Sequence, residues 1–249
     1  MKFLVFQLYA PLSSWGEPAV GEYRGTHVRP SESALLGLLA AALGLRRSDD
    51  EAHAILRNSY GFAIGVQSDG EILRDYHTAQ VAPRAALKGL PRSTRKDELA
   101  VPPEDLTTIL STRDYRQDAA SIVAVQAKDD ARYGLDVLAE ALREPRFVLY
   151  LGRKSCPPAA PLYPQVMQAD SALEAINIYL ERVRSLSAAS GTADGVRKGA
   201  PLRYLTWSDD VLAGVEPDLS VPRKDRLIRR SAWQFGDRVE HIKLLSEVN

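Results

Sequence analysis

The chain has one cysteine, Cys156, among 249 residues. That excludes an internal disulfide framework and any multi-cysteine zinc site, and it fits a reducing, cytoplasmic setting. Excess charge of either sign is also missing: 32 Lys and Arg balance 32 Asp and Glu. No bulk attraction to DNA or an anionic membrane is available, so a nucleic-acid site has to be local. No apolar run approaches the roughly eighteen residues of a membrane-spanning helix, and no membrane partner is expected. The stretch from Phe3 to Ala10 is interrupted by Gln7 and followed by Pro11 and Trp15. It reads as a first β-strand, because a signal peptide would place a small-x-small cleavage site there. A Walker loop, a dinucleotide-binding glycine fingerprint, a nucleophile elbow and an HExxH motif are all absent. The histidines His27, His53, His77 and His241 have no second histidine or cysteine at a ligand spacing. Asp49, Asp50 and Glu51 stand at a helix start, where capping explains acids, so no metal or other cofactor is expected.

What is present is a regular alternation of elements. Phe3–Tyr9 is a buried strand, and Ala10–Pro30 is a long loop with glycines at 16, 21 and 25. Leu35, Leu36, Leu38, Leu39, Ala42 and Leu43 recur at helical spacing after Ser31 and Ser33, with Gly44 to close the helix. Ser48 to Glu51 has capping-box spacing for a short second helix. Tyr60–Gln67 runs into Asp69-Gly70, a strong hairpin signal, and Ile72–Thr78 is the expected partner strand. From Ala79 to about Leu110 prolines break all periodicity, and Arg84, Lys88, Arg92, Arg95 and Lys96 precede the first acid, Asp97. Ala119–Ala127 reads as a strand, Asp129–Leu142 as a helix and Phe147–Leu151 as another strand. The order β, α, β, β, α, β predicts an α+β fold: a ferredoxin-like domain of the RNA-recognition type over 1–155, with a basic insertion at about 80–110. After Gly152 a proline-rich composition predicts a boundary to a smaller β-rich unit over 156–249. In that unit Ala172–Val183 is a helix, Ser187–Gly199 a small-residue loop, and Leu202–Trp207 and Val239–Leu245 are strands.

Three features point to RNA. The insertion carries five cations in thirteen residues, an electrostatic footprint on a neutral chain. The glycine-rich loop with Arg24, Thr26 and Arg29 feeds a helix N-terminus at Ser31–Ser33, where free backbone N–H groups suit a phosphate. Gly152-Arg153-Lys154-Ser155 follows a predicted strand, so Gly152 can admit RNA backbone and Arg153 can grip phosphate with its planar fork. A metal-free ribonuclease is the alternative, because RNA supplies its own 2′-hydroxyl nucleophile and needs only a general base and acid. Tyr76-His77 is the one adjacent pair of that kind, although neighbours on a strand point to opposite faces.

Trp15-Gly16, Arg24-x-Thr26, the run Pro30–Leu39, Leu73-Arg74-Asp75-Tyr76-His77-Thr78 and Tyr150–Pro157 occur in this order, and together they resemble the CasD family. These are the subunits of type I-E CRISPR surveillance complexes, called Cascade, that hold the 5′ end of the guide RNA. The resemblance is concentrated in the first 160 residues; Ala34 and Ala40 stand where the family often has glycine, and the C-terminal segment is longer than usual. It implies a CRISPR antiviral-defence protein of the RAMP superfamily that binds the 5′ handle of the crRNA and caps the effector backbone. The basic insertion would then be a β-hairpin thumb. The implied partners are crRNA, the CasC backbone subunit and the large subunit CasA, with CasE and target DNA reached indirectly. The implied RNA-binding positions are Trp15, Gly16, Arg24, Thr26, Arg29, Ser31, Ser33, Arg74, Tyr76, His77, Arg84, Lys88, Arg113, Gly152, Arg153, Lys154 and Ser155, with no catalytic residue. In a related subtype the equivalent subunit is itself the endoribonuclease that processes pre-crRNA, which keeps the enzymatic alternative open.

Overall fold

The computed structural model describes the chain apart from residues 17–18, 20, 90–92, 191–199 and 246–249. In chain order the first elements are β1 (Lys2–Tyr9), β2 (Leu12–Ser13), β3 (Tyr23–Arg24), α1 (Glu32–Leu43), α2 (Asp50–Ser59) and β4 (Tyr60–Ser68). Next come β5 (Glu71–Val81), the single turn α3 (Arg95–Glu98), β6 (Thr107–Gln117), β7 (Ala120–Ala127) and α4 (Leu135–Arg143). The last are β8 (Gln165–Gln168), α5 (Ala172–Ser190), β9 (Tyr204–Trp207), β10 (Leu219–Arg229) and β11 (Gln234–Leu244). Seven strands form one sheet in the order β10-β11-β9-β4-β7-β1-β8, with every neighbouring pair antiparallel.

The sheet is covered on both faces, which is why β1 reads as a nearly continuous apolar run. Its pleat sends Leu4, Phe6 and Leu8 into one core with α1 and α4, while Phe3 and Val5 enter a second core under α5. β7 divides in the same way, Val123 and Val125 to the first core and Ile122 and Ala124 to the second. Ser31 caps α1 by accepting the Ala34 N–H. On α5, Ala172, Ala175, Ile176, Tyr179, Leu180 and Val183 repeat at helical spacing and form its buried stripe.

Several expectations shift. Asp49 caps α2 in place of Ser48. Asp50 instead takes Ser231 and Arg229, and the Ser231 hydrogen bonds in particular hold its carboxyl at about 2. Asp69-Gly70 does not join a hairpin: β4 pairs with β7 and β9, while β5 leaves the sheet and pairs along its whole length with β6. Gly70 makes this corner, with φ of 65°, and a Cβ there would lie 2.3 Å from the Gln117 carbonyl oxygen. Phe147–Leu151 is not a strand, although Leu149 and Leu151 are buried and Val148 is exposed. Its backbone is used elsewhere: the Phe147 N–H donates to Ala41 C=O at the end of α1, and Leu151 C=O accepts from Ser14 N–H. The strand beside β1 is β8, so one sheet takes strands from both sides of residue 155, with β8, β9, β10 and β11 joining β1, β4 and β7. The helix expected from Asp129 begins at Leu135, and α5 extends to Ser190; the remainder of the expected loop, 191–199, lies outside the described residues.

A buried ionic cluster ties the first third of the chain to β10 and β11. Arg223 reaches Glu240 at 2.7 Å and Asp225 at 3.1 Å. Arg238 reaches Asp225 at 2.6 Å, Glu240 at 3.1 Å and Glu32 at 3.5 Å. Arg29 also pairs with Glu240, and the Glu32 N–H donates to Asp225. Burial pushes the Glu32 carboxyl up to about 7, with Arg238 opposing. An acid whose folded pKa lies above its unfolded value contributes full stability below the unfolded pKa and loses it as pH rises through the folded one. Glu32→Gln is therefore expected to stabilise the protein by about 1–3 kcal/mol at pH 8 and by much less at pH 5. Urea melts at the two pH values test this; equal effects would refute it.

Candidate nucleic-acid interface

Four segments converge on a cleft of about 680 Å³: the loop after β1, the exposed face of α1, residues 148–153 and the β10–β11 connection. The loop is tied into shape by its own backbone. Trp15 N–H donates to Thr26 Oγ1 and His27 N–H donates to Trp15 C=O, each at 2.8 Å. Trp15 itself is buried in the core at one end of the cleft. β3 lies beside β6, and Tyr23 donates its hydroxyl to Asp114. Asp114 also takes both prongs of Arg74, at 2.9 and 3.2 Å, and the Arg74 hydrogen bonds hold its carboxyl below the usual range. Gly152, with φ of 86°, closes against the loop from the other side.

The structure brings seven of the expected residues to the cleft: Trp15, Gly16, Arg24, Ser31, Ser33, Gly152 and Arg153. The roles of several differ from expectation. A Cβ on Gly152 would lie 1.7 Å from the Ser14 carbonyl oxygen, so the space there admits the protein's own backbone and leaves none for RNA. Arg153 donates to Asp114 C=O at 3.2 Å and Arg24 C=O at 3.0 Å, and lies 4.7 Å over the Tyr115 ring. It ties the turn after residue 151 to β6 and β3, with two donors already spent. Thr26 is spent on Trp15, and Arg29 is paired with Glu240 in the buried cluster. Nor is the start of α1 a free phosphate cradle, because Ser31 and Asp225 already accept from Ala34 and Glu32. Arg24 donates to Ala19 C=O at 3.0 Å.

The other expected residues lie outside this cleft. Arg74, Tyr76, His77 and Arg113 are on the β5–β6 ribbon, with Tyr76 opposite Thr112 and His77 opposite Ser111. Arg84 and Lys88 are exposed between those strands, and Arg92 lies outside the described residues. Lys154 and Ser155 are exposed in the turn after Arg153. Sequence reasoning missed Val148, Tyr150, Lys224, Arg230, Trp233 and Phe235, which also line it. Arg229-Arg230-x-x-Trp233, cations beside an aromatic between two strands, was the available signal.

The lining carries four cations, Arg24, Arg153, Lys224 and Arg230, against one acid, Asp225, which is already committed to Arg223 and Arg238. Burial lowers the pKa of Arg230, and neighbouring Arg47 lowers it further. Such a cleft suits an anionic, partly aromatic ligand. Among the described residues no cluster of His, Cys, Asp and Glu could hold a metal, and no helix is long and apolar enough to cross a membrane.

Comparison with known proteins gives the arrangement its context. The chain is 33% identical over 185 residues to the CRISPR system Cascade subunit CasD of Escherichia coli (strain K12), covering 71% of this chain and 76% of CasD. It superposes on a chain of a CRISPR RNA-guided surveillance complex with a TM-score of 0.63 at 24% identity, covering 97% of this chain and 89% of that one. It superposes on a Cas protein crystal structure with a TM-score of 0.55 at 22% identity, covering 98% and 94%. Those likenesses establish a shared fold. With the sequence profile of the CRISPR-associated protein (Cas_Cas5) matching residues 3–238 as well, the chain belongs to that family.

Proposed function

We propose that the chain is a Cascade-type subunit that binds the 5′ handle of crRNA in this cleft and caps the CasC backbone beside CasA, in the cytoplasm. The observation that carries the reading is the cationic, aromatic-lined cleft, where single-stranded RNA can offer phosphates to arginines and bases to apolar walls. The strand order β8-β1-β7-β4 with α1 and α4 sharing a core supports a ferredoxin-like, RNA-recognition-type platform. The β5–β6 ribbon, paired over eleven residues on each strand, is suited to be the thumb. It continues β4 and β7 past the corner at Gly70, so an arm reaching RNA or a neighbouring subunit is anchored in the centre of the sheet.

The test is gentle purification from the native host and sequencing of the bound RNA, beside a variant in which residues 82–106 are replaced by Asn-Gly. Val81 and Thr107 are cross-strand partners, so a short turn can join them. Repeat-derived 5′ ends on the wild type, with lost assembly for the variant, are expected. A complex assembled without RNA would overturn the handle assignment, and normal assembly of the variant would remove residues 82–106, the tip of the ribbon, from the thumb.

We further propose that the subunit is not a nuclease. Tyr76 and His77 are neighbours on β5 and project from opposite faces of the ribbon, so they cannot flank one scissile phosphate. Purified protein incubated with labelled repeat RNA, without metal and without CasE, is expected to leave it intact. Site-specific cleavage lost in Tyr76→Phe or His77→Ala would establish the ribonuclease reading instead.

A further inference from the structure

The β10–β11 connection places the Trp233 ring against two arginines that no acid pairs with among the described residues. Arg47, from the link between α1 and α2, lies 3.8 Å over the ring of Trp233, and Arg230 lies 4.5 Å from the same centroid. Among the described residues neither guanidinium forms an ion pair. The acids nearest Arg47 in sequence are occupied, Asp49 by the cap of α2 and Asp50 by Arg229 and Ser231. Arg230 reaches over α1 where Gly37 leaves room, its Nη2 lying 3.6 Å from the position a Cβ would take. Trp233 has φ of 52°, an uncommon conformation for a large side chain, and the residue remains 53% exposed.

We propose that Arg47 and Arg230, held by Trp233, form a clamp for one phosphodiester of single-stranded RNA. Arg230 is partly buried and Arg47 is exposed beside it, so the two like charges repel, and cation–π contact with Trp233 offsets part of that cost. An anion entering between them removes the repulsion, and two planar forks match the paired oxygens of a phosphodiester. Arg230 lines the cleft with Arg24 and Tyr150, so RNA lying in the cleft passes the clamp. The lowered pKa of Arg230 agrees with a cation built to receive a counter-charge. The proposal rests on the RNA-binding reading and assigns part of that site to the second half of the chain.

The experiment uses the full chain and a synthetic single-stranded RNA of the host repeat's 5′ handle, titrated at two salt concentrations. Arg230→Ala is expected to weaken binding by roughly 10- to 100-fold and to flatten the salt slope by roughly 0.7, the value for one lost phosphate contact on a single strand. Arg47→Ala should act in the same direction, and the double variant should lose less than the two effects combined. Without RNA, both single variants should melt at or above the wild-type temperature, because each relieves repulsion. Unchanged affinity and slope in both would overturn the clamp, as would a lower melting temperature with affinity per folded molecule intact. Unchanged RNA affinity with lost assembly would also overturn it, by assigning the arginines to a partner's carboxylate. Wild-type protein that binds no RNA would refute the handle reading itself, a result distinct from all of these.

Discussion

Replacing Glu240 by alanine is expected to destabilise the protein by about 3–5 kcal/mol, the range for removing one member of a buried ion pair. The Glu240 side chain is 1% exposed and receives Arg29, Arg223 and Arg238. Its loss leaves three arginines facing Asp225 and Glu32, and Glu32 is itself only partly ionised near neutrality. Burial drives the Glu240 carboxyl upward, but Arg223, Arg29 and Arg238 outweigh burial and hold it at about 2. A depressed carboxyl contributes stability above its unfolded pKa of roughly 4.5 and loses it as pH falls toward the folded value. The penalty of the variant is therefore full at pH 7 and shrinks as pH falls from 4.5 toward 2. Urea denaturation across that range is the measurement. A loss under about 1 kcal/mol at pH 7 would mean that the cluster repacks without cost. Arg223 also donates to Arg29 C=O, so the cluster fixes the loop after β1 against β10, and handle affinity should fall with it.

Gly152→Ala is expected to cost at least about 3 kcal/mol, because it combines backbone strain with a backbone clash. The left-handed φ of 86° disfavours any Cβ, and the Ser14 carbonyl oxygen occupies the space it would need. Ser14 cannot retreat freely, since its N–H donates to Leu151 C=O and its hydroxyl to Asp114 C=O. Displacing this contact opens the cleft between the loop and residues 148–153, so RNA binding should weaken as stability falls. Gly16→Ala is the matched control on the same cleft: beyond its chain neighbours, no atom of the described residues lies within 4 Å of its Cβ position. Thermal melts of the two variants should differ by many degrees; similar melting temperatures would refute the close-packing argument.

Legibility in the sequence followed the kind of pressure acting on each element. β1 was readable because it buries nearly everything it carries, and α1 because its leucines repeat at helical spacing between a capping serine at its start and a glycine at its end. The corner at Asp69-Gly70 was misread because a tight turn and a sheet-to-ribbon bend demand the same residues. Phe147–Leu151 alternates correctly, yet α1 and the Ser14 loop claim its hydrogen bonds. β10 was invisible for a different reason: its inward positions include Arg223 and Asp225 ahead of Leu227, so the alternation exists without being hydrophobic. That explains why only half the cleft was foreseen. The N-terminal side advertised itself through glycines and arginines, while Arg230 and Trp233 sit beyond a strand that apolar patterning cannot find.

The cleft also has an order of construction in time. Its walls come from the segments around residues 15–41, 148–153 and 224–235, and the Arg29–Glu240 pair that fastens the first to the last spans 211 positions. Translation delivers the first wall long before the last, so a growing chain can assemble β1, α1, β4 and β7 while its ligand groove stands open on one side. Contacts of such long sequence separation also form slowly. On the proposed RNA-binding reading, guide capture in this cleft would wait until β10 and β11 have left the ribosome and docked.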